Sequence, residues 1–520
     1  TEPSMKKRYI ILLFLLIMTL TVIILANTKL DGYLRNKITT AVLTETDSTY
    51  HLEMESLDVS FFPIHIFIDQ LSFTPKDSTY IYLDSTASVL ANINIERVEI
   101  RNFDWSAYLF SNKLKGSVIL EQPDINLVMR KEAGARFASE SVDSRKALLI
   151  RKIEVTNGTL RYRDEKEKLD VKFNTTLTEV THETSSAKLI NSLALNATKL
   201  DYTDPSGLYG LSCDSLNYSG EQTSLVVSGM EYRTLTGRSE ISRIMGHQKS
   251  WYDLDFPLLE ISGNGESFMK YDELFISEVK ATKPNVTVYS DGRFSRQGVP
   301  HKEMPDEMIA AISFPLMIQK LTVTEGHISY ETHSKMTDAL GQLTFTELTI
   351  DADSLTNTLP RQPFMINASA RIMGAGLVEV ELKIPQSKEA YPYLVRGSIQ
   401  PMQLTKINPI FYPVSGKKIA SGVSEDSYFT FTHDEKASTG NMRFYYDDLK
   451  VDFPNGKEDG FFKKIGSSLK SAIANTLVVN TDSEEEDEKT GDIAAERDLS
   501  QFVLGFWWRS LLSGLMDTMK

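Results

Sequence analysis

The chain is poor in nearly everything that would mark it as an enzyme or a nucleic-acid binder. Its 520 residues contain a single cysteine, Cys213. One thiol excludes an intramolecular disulfide framework and any multi-cysteine metal site. Within the strand-like run Leu211 to Tyr218 it reads as a small apolar side chain. The eight histidines are scattered, with no H-E-x-x-H and no i, i+4 pair suited to a metal. There is no G-x-S-x-G elbow, no G-x-x-x-x-G-K-[ST] phosphate loop and no G-x-G-x-x-G. Gly374-Ala375-Gly376 lacks the third glycine and follows no βαβ pattern. These gaps predict a non-enzymatic chain with no catalytic residues, no cofactor and no metal.

Positive charge is also in deficit. A formal net charge of -14 and a pI near 5.2 argue against binding nucleic acid, because a surface that tracks phosphates needs a net basic face. The same balance disfavours general adhesion to anionic headgroups. At 41% hydrophobic content the chain is too apolar to be disordered and long enough for two or three domains.

What the sequence does have begins with one long apolar run. Ile10 to Ala26 carries no charge, proline or glycine, and as a helix it reaches roughly 25 Å, enough to span a bilayer core. Lys6, Lys7 and Arg8 stand just before it. The positive-inside rule then predicts a cytoplasmic tail at 1–8, an anchor at 9–26, and the bulk of the chain on the outer side of the membrane. A cleaved signal peptide would want small residues three and one positions before the cut. The exit Ile24-Leu25-Ala26 has a large residue at the first of these, which favours a retained anchor.

Residues 27–49 read as a helical linker, with a short helix from Lys29 to Leu43. From His51 the pattern turns to period two. Ile64, Ile66 and Ile68 alternate with His65, Phe67 and Asp69; Val89, Ala91, Ile93 and Ile95 alternate with Leu90, Asn92 and Asn94. Such runs predict half-buried strands. Thr74-Pro75-Lys76-Asp77, Asn157-Gly158 and Asp291-Gly292 read as turns and predict antiparallel neighbours.

The strand region repeats itself. Val98-Glu99-Ile100 recurs as Leu259-Glu260-Ile261, and Gln122-Pro123-Asp124-Ile125-Asn126-Leu127 as Lys283-Pro284-Asn285-Val286-Thr287-Val288, both at an offset of 161. The run from Ile150 to Tyr162 recurs from Ile318 to Tyr330 at an offset of 168. A duplication follows, with repeats at 50–205 and 206–355, a third β module at 356–456, and a tail at 457–520. The tail reads as amphipathic helix on either side of an acidic linker, Glu484 to Glu488. Its first part carries Phe461, Phe462, Ile465, Leu469, Ala472 and Ile473 at helical spacing. Its last part offers a docking helix with Phe502, Phe506, Trp507, Trp508, Leu511, Leu512 and Leu515.

Alternation on this scale commits one face of many strands to an apolar environment. A compact β-sandwich would bury that face against a second sheet. An elongated, curled antiparallel sheet would instead turn it along an open groove, with Ile125, Leu127, Val286 and Val288 as candidate lining. Tandem units without domain linkers lean towards the second form, and periodicity leaves both open.

The order of these features resembles the AsmA-like family, which belongs with TamB among the repeating β-groove proteins of the bacterial envelope. The resemblance runs from the anchor and Tyr50-His51-Leu52-Glu53-Met54-Glu55-Ser56-Leu57-Asp58-Val59-Ser60, through the repeated units, to Val395-Arg396-Gly397-Ser398-Ile399 and Gly440-Asn441-Met442-Arg443-Phe444-Tyr445-Tyr446. The closing Trp507-Trp508-Arg509-Ser510-Leu511-Leu512-Ser513-Gly514 is similar to the tail of members from the Bacteroidetes lineage. The resemblance implies a single-pass inner-membrane protein with its bulk in the periplasm. Its partners would be membrane phospholipid and an outer-membrane or envelope protein at the C-terminal end. It implies lipid transfer between membranes or, alternatively, support of outer-membrane assembly, with no catalytic residues to carry over.

Overall fold

A computed structural model of the chain describes residues 30–46, 50–61, 64–75, 89–102, 104, 113–129, 147–163, 167–181, 186–264, 273–358, 363–385, 392–452, 472–473, 476–479 and 490–518. The anchor expected at 9–26, Lys6, Lys7, Arg8 and the acidic linker lie outside these residues. Among the described residues no helix is long and apolar enough to cross a membrane. The chain is predominantly β and divides into two compact units, Thr1–Val227 and Ser228–Lys520.

The first unit opens with helix α1 (Leu30–Glu45) and continues through β1 (Tyr50–Glu53), β2 (Ser56–Phe61), β3 (Ile64–Pro75), β4 (Val89–Arg101), β5 (Lys113–Glu121), β6 (Asp124–Met129), β7 (Ala147–Arg163), β8 (Lys168–Thr181), helix α2 (Ser186–Asn191), β9 (Leu193–Thr203) and β10 (Tyr209–Ser219). The unit boundary falls within β11 (Ser224–Thr234). β1 and β2 both pair with β3, β3 with β4, and β4 with both β5 and β6, all antiparallel. β5 and β6 are one strand broken at Gln122-Pro123, where the proline has no N–H to give a ladder. That broken strand then pairs in parallel with β7, and β7, β8, β9 and β10 follow as antiparallel neighbours.

The second unit repeats this order. It has helix α3 (Glu240–Met245), β12 (Trp251–Asn264), β13 (Leu274–Thr282), β14 (Asn285–Asp291), helix α4 (Pro305–Ala310), β15 (Leu316–His333) and β16 (Leu340–Thr356). β12 pairs antiparallel with β13 and β14, these pair in parallel with β15, and β15 pairs antiparallel with β16. The sequence offsets reappear as registers. Val98 faces Leu120 and, 161 residues on, Leu259 faces Ala281. At the break Gln122 N–H donates to Thr156 O and Thr159 N–H to Pro123 O; their counterparts are Lys283 N–H to Thr324 O and His327 N–H to Pro284 O, all at 2.8 Å.

Beyond the repeat come β17 (Phe364–Ile372), β18 (Gly376–Ile384), β19 (Tyr393–Ile399), β20 (Met402–Gln403), helix α5 (Asn408–Ser415), β21 (Lys418–Ser424), β22 (Ser427–His433), β23 (Ala437–Arg443), β24 (Tyr446–Asp452), β25 (Ala472–Ile473), β26 (Thr476–Val479), β27 (Thr490–Glu496) and helix α6 (Val503–Thr518). The ladder runs on through β17, β18, β19, β22, β23 and β27. A smaller sheet holds β20, β21, β24, β26 and β25.

Three expectations need correction. The sheet is mixed rather than antiparallel, because β7 and β15 enter beside the preceding broken strand in its own direction, and side-chain alternation is the same for either direction. Asn157-Gly158 is no turn: it is a bulge inside β7, with Asn157 at a φ of 53°, matched by Glu325 at 54° in β15. The tail is not wholly helical, since Ala472 and Ile473 form β25 against β26, and β27 continues the main ladder.

Candidate functional site

The registers sort the strands into two unlike faces. In the second unit one row across successive strands reads Glu260, Lys280, Thr322, Asp351, Asn367, Glu381, Arg396, Thr430, Asn441 and Asp492. One residue along, on the opposite face, the row reads Ile261, Val279, Leu321, Ala352, Ile366, Leu382, Val395, Phe431, Gly440 and Ile493, with no polar side chain. The first unit separates its faces in a similar way, with Thr175 and Tyr218 bringing hydroxyls into the largely apolar row. Leu57, Ile68, Val98, Leu120, Val155, Thr175, Leu195 and Tyr218 stand in one row, against a reverse-face row of Ser56, Asp69, Arg97, Glu121 and Thr156.

The expected groove residues all lie on the apolar face. Ile125 stands between Ile93 and Leu160, and Leu127 between Ala91 and Tyr162. Val286 stands between Leu254 and Ile328, and Val288 between Tyr252 and Tyr330. All four are half-buried, as are Leu254, Ile328 and Tyr252, while Tyr330 is 39% exposed. Cys213 is buried on the same face opposite Leu200, and burial pushes its thiol pKa up.

Cover over this face is uneven. In the first unit Ile66, Ile68, Val98, Val118 and Leu120 are buried in a cluster with Ile38 and Val42 of α1. Towards β8, β9 and β10 most of the face is half-buried, with Val180, Ala197 and Cys213 buried. In the second unit the far end is closed as a sandwich: Val395, Phe429, Phe431, Met442 and Ile493 of the main ladder pack against Leu404, Ile419, Tyr446, Leu449 and Val451 around the smaller sheet. Between that end and β12, Leu321 and Ile366 pack against a further cluster around Met304, Ala352 and Phe364, and at β12 and β13 Ile261 and Val279 are half-buried.

Helix α6 completes the closed end. Val503 and Phe506 are buried, and Trp507, Leu511 and Leu515 pack against the clusters. The helix also masks the free edge of β27. Asp492 N–H donates to Asp517 Oδ2 at 2.9 Å, Ala494 N–H to Ser513 Oγ at 3.0 Å, and the Arg509 guanidinium to Glu496 O at 3.3 Å. Gly491 and Gly514 permit the approach, because a Cβ on Gly491 would lie 2.3 Å from Gly514 O. Of the expected docking residues, Phe506, Trp507, Leu511 and Leu515 are therefore spent inside the chain, whereas Phe502 and Trp508 are exposed and Leu512 half-buried.

One polar network pins this helix. His433, 2% exposed, stacks on Tyr393 at 4.4 Å between ring centroids, and its Nε2 accepts the Trp507 indole N–H at 2.7 Å. Its Nδ1 is then the protonated nitrogen and donates to Asp434 O at 3.0 Å. Tyr393 O–H in turn donates to Asp306 of α4. Burial first, and then the nearby Arg497 charge, push the His433 pKa down to about 4, against the opposing pull of Asp434. No sequence motif marked His433; its place at the end of an alternating strand ahead of a turn was the only signal. Among the described residues no cluster of His, Cys, Asp and Glu is arranged to hold a metal.

The chain is thus a predominantly β protein in which each unit has one apolar sheet face, half-buried over some strands, and in which the last strands of the second unit are covered by the smaller sheet and α6. No protein-family model and no curated protein matches the chain.

Proposed function

We propose that the chain handles phospholipid, with acyl chains lying on the half-buried part of the apolar face. The supporting observation is the row from Ile261 to Ile493, apolar in every strand yet only partly covered at its β12 end. A compact core needs such a row only where something lies on it. Where nothing does, an acyl chain gains about 0.8 kcal/mol for each CH₂ removed from water. The mechanism is burial alone and requires no catalytic residue. With the sequence-based expectations of an anchor and of an AsmA-like organisation, this makes the protein a single-pass inner-membrane protein. Its periplasmic sheet would accept lipid from the membrane and carry it outward.

A scaffold for outer-membrane proteins, the alternative, would work by adding a strand to a sheet edge. The masking of the β27 edge by Asp517 and Ser513 weighs against strand addition there. Lipid extraction from the purified chain, with mass spectrometry of the extract, tests the proposal. Stoichiometric phospholipid is expected, and a lipid-free chain from a lipid-rich host refutes it.

A further inference from the structure

Helix α6 has a second apolar stripe that its docking does not use. Leu504, Trp508 and Leu512 recur at i, i+4 and i+8 and so share one face. Leu504 is 68% and Trp508 47% exposed, and none of the three packs into the core clusters that take Val503, Trp507, Leu511 and Leu515. At the start of the helix Phe502 and Leu499 are 42% and 49% exposed, and Leu499 O accepts the Lys302 N–H.

The surroundings of the stripe are basic in a chain whose net charge is -14. Lys302 Nζ stands 4.8 Å above the Phe502 ring. Arg509 follows Trp508, and Arg296 and Arg509 each approach Asp498 Oδ2 at 3.5 Å. Arg296 and Arg509 thus share one carboxylate, and with Lys302 they make three cations beside four exposed large apolar side chains. Tryptophan, leucine and phenylalanine rimmed by lysine and arginine are the composition of a helix lying in a membrane interface, apolar side in the acyl boundary and cations at the phosphates. A protein core would have no use for the cations, and a second copy of the same basic rim would repel it.

We infer that the outer face of α6, through Leu504, Trp508 and Leu512 with Phe502 beside them, docks on an anionic phospholipid surface. The docking needs no lipid on the sheet face and leaves the helix where it is. It gives the closed end of the sheet its own contact with a bilayer and goes beyond the carriage of lipid.

The test uses the full chain reconstituted in vesicles with brominated acyl chains, which quench tryptophans that enter the bilayer. The expected anchor segment contains no tryptophan, so it adds no signal. Wild type should show a quenchable component that is strong with phosphatidylglycerol, weaker in phosphatidylcholine alone, and reduced by salt. Trp508→Phe should remove it. Leu504→Asp combined with Leu512→Asp should weaken binding at least about tenfold while Trp508 is still present, with an unchanged melting temperature. Equal quenching in wild type and Trp508→Phe overturns the inference. So does a Trp508-dependent dimer with no quenching, which would make a second copy the occupant.

Discussion

The Trp507 indole N–H and His433 Nε2 are 2.7 Å apart, and the bond exists only while His433 is neutral. A proton on Nε2 would set donor against donor and add a charge near Arg497, whose Nε and Nη1 are themselves buried without a hydrogen-bond partner among the described residues. The groups around the ring are Tyr393, Phe506, Asp434 and Arg497, with Asp306 held by Tyr393. In the unfolded chain this histidine takes a proton near 6.5, and in the folded chain near 4. The unfolded state therefore binds more protons between these values. Stability from this residue is full above about pH 6.5, falls as pH drops, and is gone by about pH 4. At about 1.4 kcal/mol per tenfold change in proton affinity, the loss is at most about 3–4 kcal/mol. His433→Gln keeps an acceptor for Trp507 but cannot titrate. Thermal melts from pH 7 to pH 4.5 should show a steeper fall in wild type than in His433→Gln; parallel profiles would contradict the assignment.

A second prediction concerns Asp291, fully buried at the end of β14. Burial opposes its charge, but Arg293 grips both carboxylate oxygens, Nε to Oδ1 at 2.9 Å and Nη2 to Oδ2 at 2.8 Å, and holds its pKa far below the usual carboxylate range. Arg293→Met leaves that carboxylate without its cation and should destabilise the second unit by about 3–5 kcal/mol. Adding Asp291→Asn should recover part of the loss in a urea melt. No recovery would mean that the pair does not act as a unit.

The close approach of α6 to β27 yields a third. A side chain on Gly514 would meet Ile493 Cγ1 at 2.6 Å, so Gly514→Val should push the helix off the strand. The overlap should cost about 1–3 kcal/mol, and amide exchange at Asp492 and Ala494 should quicken as their side-chain acceptors withdraw. Slow exchange in the variant would show that the edge is protected by something else.

Much of this arrangement was readable in the residues. The offset linking Val98 to Leu259 reappears as an identical cross-strand register, because a one-residue slip would have turned every apolar side chain to the polar face. Direction was not readable: Ile125 alternates with Asp124 and Asn126 in the same way beside antiparallel β4 and parallel β7. Asn157-Gly158 misled because the positive φ that suits a turn equally suits a bulge. The tail helix showed its leucines and tryptophans but not how they divide. That depends on Gly514 and Ser510 meeting β27 and β23, contacts between segments far apart in sequence.

The proposal that the apolar face carries lipid is tested most directly by placing a charge on that face at a half-buried and at a fully buried position. Val288→Asp and Leu127→Asp fall on half-buried strands, where a carboxylate can reach water when no lipid is present. Phe431→Asp falls on a residue with no exposure inside the sandwiched end, where an unpaired carboxylate should cost several kcal/mol, on the order of the whole stability of a domain. The measurement is the phospholipid bound per purified chain, taken with far-UV circular dichroism and a melting curve for each variant. The variants at half-buried positions should keep the wild-type spectrum and melting temperature and lose most of their lipid, while Phe431→Asp unfolds. Unfolding of Val288→Asp and Leu127→Asp, or wild-type lipid content in both, would contradict a lipid-carrying face.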